Sequence, residues 1–486
     1  MARECYERLS AQDTSFLLFE SQNAFTHVAG TAIYELGPLR SGEDGVDIGR
    51  IRSAVASLLH QLPRFRQKLA WIPLEGHPVW VDDPAFDLDF HVRHTRLPHP
   101  GGEQELKELS ARILANQMDR AKPLWEIWVI EGLAGGRWSM IQKIHHCMID
   151  GASGVDLTQL MLSPDPAAEL PAATPHLPRP IPTRAKLLRD ALARRLRMPL
   201  DALRSTRESY ESARELVEEA RLRARAVLKM AGSLTRSAPK TLLSGPIGPH
   251  RRVDWLEMPL DEVKAVRKAT GATVNDVVLA TVAGALRSFL ERRGADPGEL
   301  EFRVAAPVST RSESERGTLG NRVSMWILDL PIDEPEPLRR LERVREQTRD
   351  LKSSQQAVGA DLLFQVVEWT STRVLSLAGR ALAASQGPYN LMVTNVPGPQ
   401  IPLYLCGSRM CATYGFVPLV ENTALGVALF SYDGRLCWGL NADYERVPDL
   451  ADFAAAIAAA FRELERAAGL EAKPLTPAQD SGSSRR

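Results

Sequence analysis

Residues 143–154 read KIHHCMIDGASG: two adjacent histidines, a cysteine, an aspartate followed by glycine, and a serine. Four chemistries use such residues: a metal site, a Cys–His nucleophile, a serine hydrolase, or a single histidine base. Zinc needs three or four ligands at workable spacing. On a strand, His145 and His146 point to opposite faces, and no HExxH or paired CxxC motif accompanies them. The expectation is therefore no metal. Cys147 directly follows His146, whereas a Cys–His pair normally comes from separate segments that meet in space. The thiol reads as a small buried residue in a tight turn. The run GASGV misses the G-x-S-x-G elbow, because Val155 stands at its last position. Ser153 reads instead as a small residue in a first helical turn.

What remains is one histidine as general base at the C-terminal end of a strand. Imidazole titrates near neutrality and can take a proton from a hydroxyl or a thiol. Asp150, followed by Gly151, suits a tight turn that returns the chain against that strand. The plainer alternative is a satisfied polar turn between strand and helix. An isolated H-x-x-x-D does not separate the two; the full HHxxxDG is more specific.

The elements that must position this cluster come in two mixed stretches. Up to residue 163, short alternating runs (27–36, HPVWVDD, LDFHVRH, WEIWVIEGL, 138–144) read as strands. Residues 48–63 and 102–118 read as amphipathic helices. Residues 163–182 are proline-rich and extended. Residues 183–199 read as a basic amphipathic helix with Leu188, Leu192 and Leu196 on one stripe, and a second charged helix follows at about 202–231. From 251 the mixture returns. Residues 272–294 read as a long helix and 424–444 as a hairpin turning at Asp433-Gly434. Residues 448–469 form the last helix. The fold class expected is α+β: an N-terminal lobe (1–163), a linker (164–250), a C-terminal lobe (251–470) and a disordered tail (471–486).

Composition narrows the function classes. The chain has 486 residues, 44% hydrophobic, with 60 Lys+Arg balancing 60 Asp+Glu. Such length implies two or three domains, and zero net charge does not suit a nucleic-acid protein. Five scattered cysteines and no apolar h-region near the N-terminus favour a reducing cytoplasm. No run approaches the ~18 apolar residues of a membrane span.

HHCMIDG (145–151) resembles the HHxxxDG hallmark of histidine-dependent acyltransferases that use thioester donors, such as chloramphenicol acetyltransferase and peptide-synthetase condensation domains. Further segments narrow the likeness to the bacterial wax ester synthase/diacylglycerol acyltransferase family. They are LSAQDTSFLLFES, THVAG, DRAKPLWEIWVIEGL with its Pro123-Leu124-Trp125, TVNDVVLATVAGALR with its Asn275-Asp276, PVSTR, LGNRVS and TNVPGP. The similarity runs from about residue 9 to 465.

The resemblance implies two chloramphenicol-acetyltransferase-like lobes with a channel between them. It implies an O-acyltransferase moving a long-chain acyl group from acyl-CoA, a co-substrate, to diacylglycerol or a fatty alcohol, with no cofactor and no metal. His146 would be the base, His145 its support, and Asp150 a scaffold for the loop, often through an arginine; Arg311 is offered as that partner. Asn275 and Asp276 either begin a helix, Asn being a favoured N-cap, or place an amide near the oxyanion or the acceptor. Pro123, Leu124 and Trp125 read as a strand entry with a packed aromatic, and Pro397 and Gly398 as turn residues.

Lipid substrates suggest a peripheral contact with the inner membrane face or a lipid inclusion. The basic helix at 184–197 could meet anionic headgroups; alternatively it packs its Leu stripe on the protein. The rival functions are a condensation-type enzyme using carrier-bound thioesters and a non-catalytic lipid-binding relative.

Overall fold

A computed structural model describes residues 5–42, 45–148, 160–169, 171–194, 196, 237–309, 323–353 and 387–471. Asp150, Gly151, Arg311, the helix expected at 202–231 and nearly all of the expected tail lie outside these residues.

A seven-stranded sheet carries the histidines. Its centre is the pair His27–Glu35 and Arg137–His145, antiparallel from His27 opposite His145 to Glu35 opposite Arg137. Trp125–Leu133 flanks it, with Val92–Arg96 parallel at the edge. Both faces are covered, so these strands are rich in apolar residues on both sides. On one face Tyr34 stacks on Trp138 at 4.6 Å, over Ile51 and Val55 of helix Ile48–Leu58. On the other, Ile33, Ile130 and Ile141 meet Leu106 and Ile113 of helix Glu103–Ala115. Lys143 is fully buried on that face. Its ammonium donates to the carbonyls of Ile113 (2.8 Å) and Asn116, at the end of the same helix. The unpaired C-terminal carbonyls of a helix and its dipole suit a cation there.

The far side of this sheet is built from residues distant in sequence. Ser408–Phe416 pairs with His27–Glu35, and Tyr404–Leu405 extends the sheet beyond it. Residues from the expected C-terminal lobe thus complete the N-terminal sheet. The alternating pattern of 408–416 shows which side chains turn inward but not which strand they pair with. Trp138 Nε1 donating to Ser408 Oγ (2.9 Å) is one of the contacts that set the partner.

The second sheet has six strands in the order Arg251–Pro259, Arg435–Asp443, Leu425–Tyr432, Leu391–Pro397, Arg303–Ser309, Val323–Asp329. The 425–443 hairpin turns at Asp433 (φ 44°) and Gly434 (φ 77°), both in the left-handed region, as a two-residue primed turn requires. Helix Val274–Arg292 is apolar on nearly every side and buried from Asp276 through Leu286. It packs beneath Leu450–Ala467, with Phe289 edge-on to Phe453 at 5.2 Å. Among the described residues no single helix is long and apolar enough to cross a membrane.

A small third sheet joins Glu7–Arg8, Pro78–Asp82 and Gln67–Trp71. The linker reaches it: the Arg179 amide and guanidinium donate to Asp82 at 2.8–3.2 Å, and residues 184–194 are helical against it. The run LDFHVRH is not one strand. Asp87 accepts from the Asp89 amide and caps a helical turn, Leu88–His91, before the strand Val92–Arg96 begins.

Candidate active site

Strand Arg137–His145 delivers the two histidines to its end, and the chain then turns into a 3-10 segment, His146–Met148. The turn is fixed from both neighbours. His145 N donates to Leu124 O (3.0 Å), and His146 N donates to Thr26 O (2.9 Å). The Pro123-Leu124-Trp125 segment therefore holds the site by its backbone, while its side chains anchor in the core. Leu124 and Trp125 are buried, Trp125 Nε1 donates to Phe65 O (2.7 Å), and the indole stacks on His91 at 4.5 Å.

The imidazoles then diverge. His145 Nδ1 accepts from the Cys147 amide (3.2 Å). This leaves the proton of the neutral ring on Nε2, which faces Glu20 Oε1 at 3.1 Å and Thr26 Oγ1 at 3.3 Å. Both nitrogens of His145 are committed. His146 instead lies flat on Phe16, ring centroids 3.9 Å apart and planes 21° apart. Its Nδ1 is buried with no hydrogen-bond partner among the described residues. Burial above all, with His145 close by, holds its pKa down to about 4. The ring is therefore neutral at physiological pH.

Helix Ala11–Leu18 brings the N-terminal segment to this point. Ser10 caps it, accepting from Asp13 N (3.0 Å), which aims Phe16 at His146. Just beyond the helix, Glu20 is the hub. Its Oε1 accepts from Thr26 N (2.9 Å), and its Oε2 pairs with Arg120 at 2.5 Å. Burial alone would raise this carboxyl; the hydrogen bond from His145 and its electrostatic attraction, then that of His27 and a hydrogen bond from Arg120, bring it to about 2. The next residues dock on the other half of the molecule. Ser21 donates to Glu421, Asn23 Nδ2 donates to Ile247 O (3.0 Å), and the Arg251 guanidinium donates to Asn23 O.

Glu20, His27 and His145 bring one ligand atom each within 4.8 Å of one another, the one such group among the described residues. The donor set suits hydrogen bonding better than a cation. His145 Nε2 holds the proton a metal would have to displace, and the Arg120 guanidinium already neutralises Glu20. Cys147 is buried, and burial above all pushes its thiol well up, so the thiolate a nucleophile needs is disfavoured.

The second signature dipeptide lies in a different environment. Thr273, rather than Asn275, caps the long helix. Its side chain accepts from Asp276 N (3.1 Å), and Asp276 Oδ2 accepts from Thr273 N (2.8 Å). In this capping box Asp276 takes part in the helix start as one of the two readings has it, while the N-cap is Thr273 and not Asn275. Asp276 Oδ1 also accepts from Thr348 Oγ1 (2.7 Å). Asn275 is half-buried and makes no hydrogen bond among the described residues.

A profile of the wax ester synthase/diacylglycerol acyltransferase catalytic domain matches residues 9–278, and one of the WS/DGAT C-terminal domain matches residues 319–465. The chain belongs to the wax ester synthase/diacylglycerol acyltransferase family. A relative in Mycobacterium tuberculosis H37Rv, named "Probable diacyglycerol O-acyltransferase tgs1", is 34% identical over 421 residues, spanning 85% of this chain and 87% of that one. In fold, the chain is similar to the wax ester synthase/diacylglycerol acyltransferase of Marinobacter aquaeolei VT8, with TM-score 0.66 at 23% identity, covering 95% of this chain and all of that one. It is also similar to the first condensation domain of the calcium-dependent antibiotic synthetase, with TM-score 0.57 at 18% identity and coverage of 97% and 98%. The two-lobed α+β architecture is thus shared across both groups.

Sequence reading names the histidines but not Phe16, Glu20, Thr26 or Arg120. The signal was present, since all four lie in the segments that carry the likeness to the wax ester synthase/diacylglycerol acyltransferase family. Those segments describe a family; only the fold shows that they meet.

Proposed function

We propose that this protein transfers a long-chain acyl group from acyl-CoA to the hydroxyl of diacylglycerol or a fatty alcohol, with His146 as general base. The observation that carries the assignment of the base is the contrast between the rings. His145 has both nitrogens engaged, whereas His146 is neutral and has a nitrogen without a partner among the described residues. Family membership carries the substrate class.

The hydroxyl proton passes to His146 as the oxygen attacks the thioester carbonyl. A tetrahedral oxyanion forms, the C–S bond breaks, and the CoA thiolate leaves with the proton from the imidazolium. A thioester is already activated, so one placed base suffices without an acyl-enzyme, a metal or a cofactor. Glu20 and Arg120 hold His145, and His145 with Phe16 holds His146. Asp150 keeps its proposed role as loop scaffold. The protein works in the cytoplasm, on the inner face of a membrane or a lipid inclusion.

Purified protein given palmitoyl-CoA should release CoA and form an ester when offered 1-hexadecanol and a diacylglycerol in parallel. The better product identifies the acceptor. His146→Ala should remove both activities; full activity in that variant overturns the assignment of the base.

A further inference from the structure

The linker helix 184–194 carries two apolar rows. Leu187 and Ala191 are buried against Tyr6, Ile72, Val79 and Val81 of the small sheet. Leu188, Leu192 and Leu196 form the next row, rotated by about 100° because each residue advances that far around a helix. Leu192 is 54% exposed and Leu196 77% exposed. Leu192 and Leu196 thus face outward, with Leu188 half-exposed, and a different row supplies the packing. The polar residues sort the same way. Lys186 and Asp190 pair at 2.5 Å and engage Tyr6 on the packed side, while Arg184, Arg189 and Arg194 are exposed.

The hairpin between Trp71 and Pro78 adds to the same region. Ile72 shares the buried cluster with Leu187 and Ala191. Burial first, then the charges of Arg8 and, more weakly, Arg194 hold His77 down to about 4, so Arg194 lies close to this turn. At the tip stands Leu74, 75% exposed and at φ 66°. A left-handed position favours glycine or asparagine; a large apolar side chain held there in water contributes nothing to the core. Trp71 beside it is also exposed.

We propose that the outward row Leu188–Leu192–Leu196 and the hairpin tip at Leu74 together form a docking surface for an anionic lipid surface. The arginines meet headgroups and the leucines enter the acyl boundary. The choice of a lipid rather than a protein occupant rests on the charge. Arginines border an apolar row, and the one carboxylate within residues 184–194, Asp190, is paired with Lys186 on the packed side, the arrangement of an interfacial helix. It rests also on the proposed substrates, since diacylglycerol is presented in a lipid phase. The surface gains a purpose from that reading, but its binding is measured separately.

The test is co-sedimentation of the full-length protein with phosphatidylcholine vesicles, with and without phosphatidylglycerol, beside acyl transfer from palmitoyl-CoA to a short water-soluble alcohol. Wild type should bind the anionic vesicles more strongly. The double variant Leu192→Glu/Leu196→Glu and the single variant Leu74→Glu should each lose binding, roughly ten-fold for the double. Both should keep transfer to the soluble alcohol, which also reports that they are folded. Unchanged vesicle binding in both variants overturns the proposal. So does wild-type binding that ignores lipid charge, or a wild-type dimer that the double variant converts to monomer. If wild type binds vesicles but transfers no acyl group to any alcohol, the functional reading fails while the surface stands.

Discussion

Two family signatures lie on different elements, and each has a buried carboxylate beside the start or end of one. At the end of strand Arg137–His145, Glu20 ties together an imidazole, a guanidinium and a backbone amide from segments a hundred residues apart. At the start of helix Val274–Arg292, Asp276 closes a capping box with Thr273 and takes one more hydrogen bond from Thr348. The difference lies in what each leaves over. Around Asp276 the hydrogen bonds close on themselves. Around Glu20 they fix His145 and leave the neighbouring His146 with a buried nitrogen that has no partner among the described residues. A buried polar atom without a partner costs free energy, and the proposed transfer gives this one a hydroxyl proton to take.

The sharpest way to break this comparison is His146→Ala. General-base removal should lower kcat by about 10²–10⁴-fold, a loss beyond any stability that goes with the ring's stacking on Phe16. A variant with normal kcat would make His146 no different in kind from the residues around Asp276.

Glu20 comes next. Glu20→Ala leaves the buried end of Arg120 and the His145 N–H without their acceptor. It should cost about 2–3 kcal/mol of stability, the ion pair being partly solvated at Arg120, and it should lower kcat more than it raises KM. Glu20→Gln should restore much of the stability but not all of the rate. The carboxyl's pKa is lowered from 4.5 to about 2 on folding. Its contribution is therefore present above pH 4.5 and lost as pH falls toward 2. Glu20→Gln should flatten the acid limb of stability in that window. An unchanged acid limb would show that Glu20 is not held as a carboxylate.

Asp276→Ala should act on the other side of the comparison: about 1–2 kcal/mol of stability, from the lost cap and the stranded Thr348 hydroxyl, with kcat unchanged once the protein is folded. A fall in kcat without loss of stability would move Asp276 into the catalytic machinery.

How much of this could be read in the sequence follows from separation along the chain. His145 and His146 at a strand end, the turn at Asp433-Gly434 and the helix at 274–292 depend on neighbours in sequence, and each is legible as a pattern. The junction of Glu20, Thr26, Arg120 and His145 depends on strand pairing between distant segments, which alternation does not specify. The same holds for Ser408–Phe416, whose inward face is evident but whose place beside His27–Glu35 is not. Thr273 and Asn275 are both good caps, and only the bond from Asp276 N to Thr273 separates them.

The smallest expected effect concerns pH and tests the unpaired ring most directly. Burial lowers the His146 pKa from 6.5 to about 4. An ordinary imidazole base would lose half its activity near 6.5 as the pH falls. A base titrating near 4 stays unprotonated, so kcat/KM should be nearly flat from neutrality down to about pH 5. The same shift gives stability that is complete above 6.5 and declines as pH falls toward 4, since the unfolded ring takes a proton more readily than the folded one. The rate and stability profiles should therefore diverge between pH 6.5 and 5, with activity per folded molecule holding while stability declines. If kcat/KM instead falls with a midpoint near 6.5, the free enzyme's base is solvated. The contrast between a closed network and an open nitrogen would then lose its basis.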